Sequence, residues 1–393
     1  MIKLEKKALD FFRNHLDLVV IILVSLFAIV IRILMIKYQS GDYNIYLSKW
    51  FDFIKDNGLR GTFAAGGIGD YNCPYVILLW ILTKLPISSL ISIKIVSIVF
   101  DFGVAVMAAL ICKKVLKEKR NRFLPILAYS IVILLPTVIV NSSMWAQCDS
   151  IYVFFILCSI YLLMDKKYSW SFVLLGAAFA FKLQFIFVLP IYLLIYLRRR
   201  DFSIANFLWI PTMLVVLSLP ALICGLPFLD LFKIYFVQVG EYKSLTLNMF
   251  NFYKIFDGDY TYVSLIGYSV CFLFFGGLYY YVLRNNLAID NKRLIKLLLL
   301  SVLVCVYFLP SMHERYGYLA DILSVIYFII GGTVVIPIVV ELASLIGYFG
   351  YLFKTDVADF RFLDLVPLAV IVYLTRDALE LNDNSNKNRR LLR

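Results

Sequence analysis

About a dozen stretches of this chain are continuously apolar for roughly 13 to 23 residues, and no other feature limits its fold as tightly. They are Leu18–Lys37, Leu90–Cys112, Phe123–Val140, Ser150–Met164, Ser169–Phe181, Phe185–Leu197, Phe207–Cys224, Tyr262–Leu283, Leu294–Pro310, Tyr316–Gly331, Gly332–Phe353 and Phe362–Leu374. A helix needs about 20 such residues to cross about 30 Å of hydrocarbon. In lipid the backbone must also satisfy its own hydrogen bonds, which a helix does. A β-barrel is excluded, because its strands alternate in polarity over segments of about ten residues. Composition agrees: 62% of the 393 residues are hydrophobic and 16% charged, against about half and a quarter in a soluble domain. A soluble enzyme, a disordered chain and a disulfide scaffold are excluded on the same ground. The seven cysteines are scattered without close pairs or metal-ligand spacing. The expectation is an all-α polytopic membrane protein with about twelve transmembrane helices. It forms one integral membrane domain over 1–393, with an N-terminal module (1–200), a C-terminal module (201–393) and no soluble domain appended. Residues 17–37 read as a retained first span, since no small-residue cleavage site marks a signal peptide.

Charge sets the orientation. The run Pro74–Leu85 is too short to span and reads as re-entrant or interfacial. With the N-terminus cytoplasmic and this run not crossing, the inner segments are 1–15, 113–122, 165–168, 198–206, 284–296 and 376–393. They hold 24 of the 38 Lys and Arg residues, as the positive-inside rule requires. Had Pro74–Leu85 crossed, the cluster Lys113, Lys114, Lys117, Lys119, Arg120 and Arg122 would face outward. Both termini are then cytoplasmic, in a multi-pass protein of the cell membrane. The two long loops, 38–89 and 225–261, face outward, and function is expected there. The net charge of +12 belongs to this membrane-facing pattern, and no nucleic acid partner is expected.

The first outer loop opens Ser40-Gly41-Asp42-Tyr43-Asn44. Tyr43, Leu47, Trp50 and Ile54 then recur at helical spacing, opposite Lys49, Asp52 and Asp56. This pattern predicts an amphipathic helix in the membrane interface, anchored by Trp50 and stopped at Gly58. Asp42 sits in its first turn, at the mouth of the bundle. There a carboxylate can take a proton from a substrate hydroxyl, or simply cap the helix. Asp70, in Gly69-Asp70-Tyr71, is a second acid of the same loop.

Gly41-Asp42-Tyr43 with its aromatic helix resembles the first luminal loop of GT-C glycosyltransferases. The likeness is to bacterial relatives of the GPI mannosyltransferases and to lipid-linked-oligosaccharide glucosyltransferases. It continues through Cys73-Pro74-Tyr75, Asp101, Trp145-Ala146-Gln147-Cys148-Asp149-Ser150, Phe181-Lys182-Leu183-Gln184 and Met312-His313-Glu314-Arg315. The resemblance implies a polyprenyl-phosphate sugar as donor, a glycan or glycolipid as acceptor, and neither nucleotide nor metal cofactor. It makes Asp42 the catalytic base. It also raises Asp70, Asp101, Trp145, Gln147, Asp149, Lys182, Gln184, His313, Glu314 and Arg315 as substrate-binding residues.

The residues themselves support several of these roles and leave plainer ones open. Lys182 breaks two apolar half-runs at the outer tip of a hairpin, where it can hold a lipid phosphate or snorkel to head groups. Asp101 lies mid-span and needs a partner, for example Ser97 or a neighbouring helix. Asp149 can be an N-cap. His313-Glu314-Arg315 suits a phosphate, or a local ion pair. No paired metal-ligand spacing occurs. In the second outer loop Lys233, Tyr235, Gln238, Glu241, Tyr242, Lys243, Asn248, Asn251, Tyr253 and Lys254 can bind sugars or merely cover the bundle. The main competing function is transport or flipping of lipid-linked sugars; a third is a non-catalytic membrane scaffold.

Overall fold

The computed structural model describes residues 5–7, 10–11, 15–69, 71–116, 122–241, 243–255, 258–354 and 363–381. Every one of the twelve apolar runs forms helix over most of its length. The helices are α1 (Leu16–Met35), α2 (Ser48–Ala64), α3 (Cys73–Leu82), α4 (Ser89–Leu116), α5 (Phe123–Leu134), α6 (Asp149–Met164), α7 (Tyr168–Phe181) and α8 (Leu189–Arg199). There follow α9 (Trp209–Leu217), α10 (Asp230–Glu241), α11 (Tyr260–Arg284), α12 (Asn291–Phe308), α13 (Tyr318–Ile329), α14 (Val335–Phe353) and α15 (Leu365–Leu379). Among the described residues the only strands are β1 (Thr246–Leu247) and β2 (Met312–His313), paired in parallel.

Among the described residues four helices (α1, α4, α11 and α14) are long and apolar enough to cross a membrane. The bent pair Phe123–Leu134 and Pro136–Met144 would make a fifth. The 49° bend follows from Pro136, which lacks the amide hydrogen a continuous helix would need there. The surface fits lipid better than water. On α1 only Ala28 and Arg32 are buried, while Leu34 is 79% exposed and, on α11, Phe272 is 79% exposed. In the middle runs α12, which is buried from Leu294 to Phe308 with Lys296 as the one partial exception. A helix apolar on all sides belongs at the centre.

The two ends of the bundle differ in chemistry. At one end the basic segments meet: Lys114 pairs with Asp165 at 2.5 Å, Arg198 Nε donates to Leu287 O at 2.9 Å, and Lys296 pairs with Asp377 at 2.9 Å. At the other end lie the turns after α1, after Pro136–Met144, after α7 and after α12. Segment 72–89 begins and ends at this second end. Asn72 Nδ2 donates to Tyr235 Oη, which donates to Phe179 O at the tip of α7. Tyr43 Oη shares a hydrogen bond of 2.8 Å with Ser89 Oγ. The run Pro74–Leu85 therefore does not cross the bundle. Gly58, expected to end the interfacial helix, takes φ 63° and kinks it instead, after which helix resumes to Ala64.

One pair of opposite charges is matched inside the apolar bundle. Arg32 Nη2 and Nε donate to Asp101 Oδ2 at 3.0 and 3.2 Å. Ser142 Oγ donates to the same oxygen at 2.6 Å, and Tyr318 Oη donates to Oδ1 at 3.3 Å. Asp101 thus has a structural role, and its partner is a cation on α1 rather than Ser97. Glu341 caps the bent helix from outside, accepting from Thr137 N at 2.9 Å and Thr137 Oγ1 at 2.8 Å. Removing one member of a buried pair strands the other charge. Arg32→Met is expected to destabilise the fold by about 3–5 kcal/mol, and adding Asp101→Asn to recover part of the loss. Thermal unfolding in detergent measures both; an Arg32→Met protein as stable as the unaltered one refutes the role given to the pair.

Candidate functional site

The site is assembled at the end of the bundle away from the basic segments. The chain leaves α1 and turns helical again at Gly41, through a π-turn over Tyr43–Leu47. Ser40, not Asp42, caps this start: its Oγ accepts from Tyr43 N at 3.2 Å and donates to Trp145 O at 2.7 Å. Asp42 has helical backbone angles and makes no cap. Its side chain instead accepts three hydrogen bonds from distant segments. Trp145 Nε1 donates to Oδ2 at 2.9 Å, Gln147 Nε2 to Oδ2 at 2.7 Å, and Tyr351 Oη to Oδ1.

Trp145 is the centre of the group. It is fully buried and follows a second π-turn, Val140–Met144; such turns are common at functional sites. Tyr351 stacks on its ring at 4.9 Å between centroids, and Tyr348 meets it edge-on at 5.2 Å. The Arg315 guanidinium lies 5.5 Å from its ring centroid, within cation–π range. The next residue, Ala146, takes φ 68°, a conformation costly for a residue with a Cβ. That strain lets Trp145 and Gln147 both face Asp42.

A second layer joins on through Tyr348, whose Oη accepts from Asn141 Nδ2 at 3.4 Å. Asn141 Nδ2 also donates to Asp149 Oδ2 at 2.9 Å, and Asp149 Oδ1 pairs with Lys182. Asp149 is fully buried and is not an N-cap. Lys182, expected to face a phosphate or the head groups, is instead committed to this ion pair.

The third contributor is the turn after α12. β2 holds it against the 225–261 loop: His313 is in register with Leu247, and Ser311 N donates to Leu245 O at 3.1 Å. Asn248 and Ser311 both take positive φ here. Arg315 Nη1 is 3.7 Å from Glu314 Oε1. Burial, with Arg315 and Lys182 nearby, pushes the His313 imidazole well below its usual range and keeps it neutral. His313 therefore offers a hydrogen bond but no charge. Burial pushes the Glu314 carboxyl up to about 7; Arg315 opposes the shift and Asp42 adds to it.

Asp42, Trp145, Gln147, Asp149, Lys182, His313, Glu314 and Arg315 are thus brought together. Gln184 is half-buried in the turn after Lys182, with no side-chain hydrogen bond among the described residues. Asp101 is held by Arg32, Ser142 and Tyr318 and, among the described residues, hydrogen-bonds to none of this group. Asp70 and Tyr242 lie outside the described residues, as does the Glu241 side chain.

In the second loop, two of the expected sugar-binding aromatics are structural. Tyr235 stacks on Phe179 at 4.4 Å, and Tyr253 donates to Phe308 O at 2.7 Å. Asn251 caps its own turn, accepting from Tyr253 N at 3.2 Å. Tyr348, Tyr351 and Asn141 join the site without a motif to announce them; the signal for the first two is a pair of tyrosines spaced i, i+3 near the end of an apolar helix. Among the described residues no three His, Cys, Asp or Glu side chains gather as a metal site. An apolar cavity lies behind the turn, lined by Met249, Gly317, Ala320, Val340 and Ser344, and Asp42 does not line it. No protein-family model matches the chain, and no curated protein matches its sequence.

The Glu314 shift has a consequence for stability. The folded protein keeps this proton up to about pH 7, whereas an unfolded Glu loses it near about 4.3. Between those values the folded state binds more protons, so the Glu314 contribution falls as pH rises. Glu314→Gln is expected to gain stability relative to the unaltered protein as pH goes from about 4.5 to 7. Thermal unfolding of both across that range tests it; a difference that does not change with pH refutes it.

Proposed function

We propose that the protein is an inverting glycosyltransferase of the GT-C kind, with about twelve crossings, cytoplasmic termini and its site on the outer face of the membrane. The donor is a polyprenyl-phosphate sugar and the acceptor a hydroxyl of a glycan or glycolipid. The observation that carries this reading is the setting of Asp42. Three donors fix its orientation, yet it is only half-buried, and Oδ1 has one described partner against two on Oδ2. That leaves Oδ1 able to accept a further hydrogen bond from a hydroxyl.

In the proposed step the acceptor oxygen attacks the anomeric carbon from the face opposite the phosphate. The bond from that carbon to the phosphate oxygen breaks, and the polyprenyl phosphate leaves with the electron pair. The hydroxyl proton passes to Asp42. Arg315 is the main candidate for the phosphate, because Lys182 is paired with Asp149 and His313 is neutral. A guanidinium suits phosphate through paired charge-assisted hydrogen bonds.

The test uses purified protein in lipid nanodiscs with decaprenyl-phosphate hexoses and a mixed glycan acceptor pool. Asp42→Asn is expected to lower the transfer rate by about 10²–10⁴ with the fold intact. Unimpaired transfer by this variant removes Asp42 as the base. Movement of the lipid-linked sugar between leaflets without any transfer favours the transporter reading.

A further inference from the structure

Of the two acids of the site that the proposed step leaves unused, Asp149 is paired with Lys182, whereas Glu314 has no such hydrogen-bonded partner among the described residues. It is 1% exposed, and neither carboxylate oxygen has a hydrogen-bond partner among the described residues. The Glu314 backbone amide and the Asn248 side chain favour its ionised form without completing a hydrogen bond to either oxygen, and His313 Nδ1 is 4.0 Å from Oε1. The nearest cation is Arg315, at 3.7 Å. Buried carboxylate oxygens are normally satisfied, and leaving them bare is costly.

The surrounding packing builds this position. α14 presents Gly347 to it, and a Cβ there would meet Glu314 Cβ at 2.9 Å and Asn248 O at 2.9 Å. Gly347, which packs on Glu314, and Tyr351, which donates to Asp42, stand four residues apart on one face of α14, so Glu314 and the proposed base meet the same face of this helix. A carboxylate cannot bind the phosphate itself, which repels it. What it can accept is a pair of O–H donors.

The geometry points to Glu314 as the residue that reads the transferred sugar: in its ionised form, its two oxygens accept hydrogen bonds from adjacent ring hydroxyls of the donor hexose. This inference rests on the glycosyltransferase reading. We assign Glu314 the hydroxyls on C2 and C3, the adjacent pair closest along the ring to the anomeric carbon that bears the phosphate. The inference assigns Glu314 to the sugar rather than to the phosphate that the His313-Glu314-Arg315 cluster suggested.

Binding to the purified full chain in nanodiscs tests it, with decaprenyl phosphate carrying mannose, glucose or galactose and with decaprenyl phosphate alone. Glu314→Gln is expected to weaken the tightest hexose lipid about ten- to hundredfold, and to bind the sugar-free lipid as well as the unaltered protein or better. Equal weakening of both ligands, or of neither, overturns the inference. The unaltered protein gives an independent arm: 2-deoxy and 3-deoxy donors bind more weakly than the parent, and a 6-deoxy donor binds like it. Deoxy donors that all bind like the parent overturn it without any variant. An unaltered protein that shows the deoxy pattern but transfers no sugar refutes the glycosyltransferase reading and leaves sugar recognition by Glu314 standing; one that binds neither lipid refutes both.

Discussion

The architecture depends on one ion pair inside an apolar bundle. Arg32 and Asp101 could not be buried singly, so α1 must lie where its guanidinium reaches α4. Ser142 and Tyr318 close the remaining positions on the carboxylate, which draws the bent helix and α13 to the same point. Lys94 then holds the chain just past α1, donating to Ile36 O at 3.0 Å and Tyr38 O at 2.6 Å. Asp42 follows four residues later. The position of the proposed base therefore depends on a pairing made ten residues earlier in the chain.

The site itself is held by aromatic packing around Trp145, with hydrogen bonds giving direction. Its charges come in close pairs, Lys182 with Asp149 and Arg315 beside Glu314. Within this group Arg315 is the cation without a fully committed acid. A neutral His313 keeps that balance from tipping toward positive charge.

Much of the fold is legible in the sequence because lipid leaves a chain few options: each apolar run is helix, and Pro74–Leu85 stays at one end. Asp42 is legible as a candidate because an acid beside a short aromatic helix is unusual. Its partners Trp145 and Gln147 are visible as a motif, but their hydrogen bonds to it are not. Tyr351 escapes notice because it lies 309 residues away, in a helix whose pattern is otherwise apolar. Asp101 and Asp149 show the same limit. A local cap, a nearby serine or a substrate contact is the explanation that sequence offers first, whereas the partners the structure gives them, Arg32 and Lys182, come from other segments. Sequence periodicity finds which face of a helix is buried, but not which helix it meets.

Gly347 limits how the site can move. It faces Glu314 and Asn248, while Tyr348, one position on, faces Trp145 and Asn141. Successive residues of a helix are turned by about 100°. A roll of α14 about its own axis would carry a tyrosine ring into the backbone at Asn248. Any movement of α14 is therefore restricted to tilting or sliding along its axis, with its rotational setting kept.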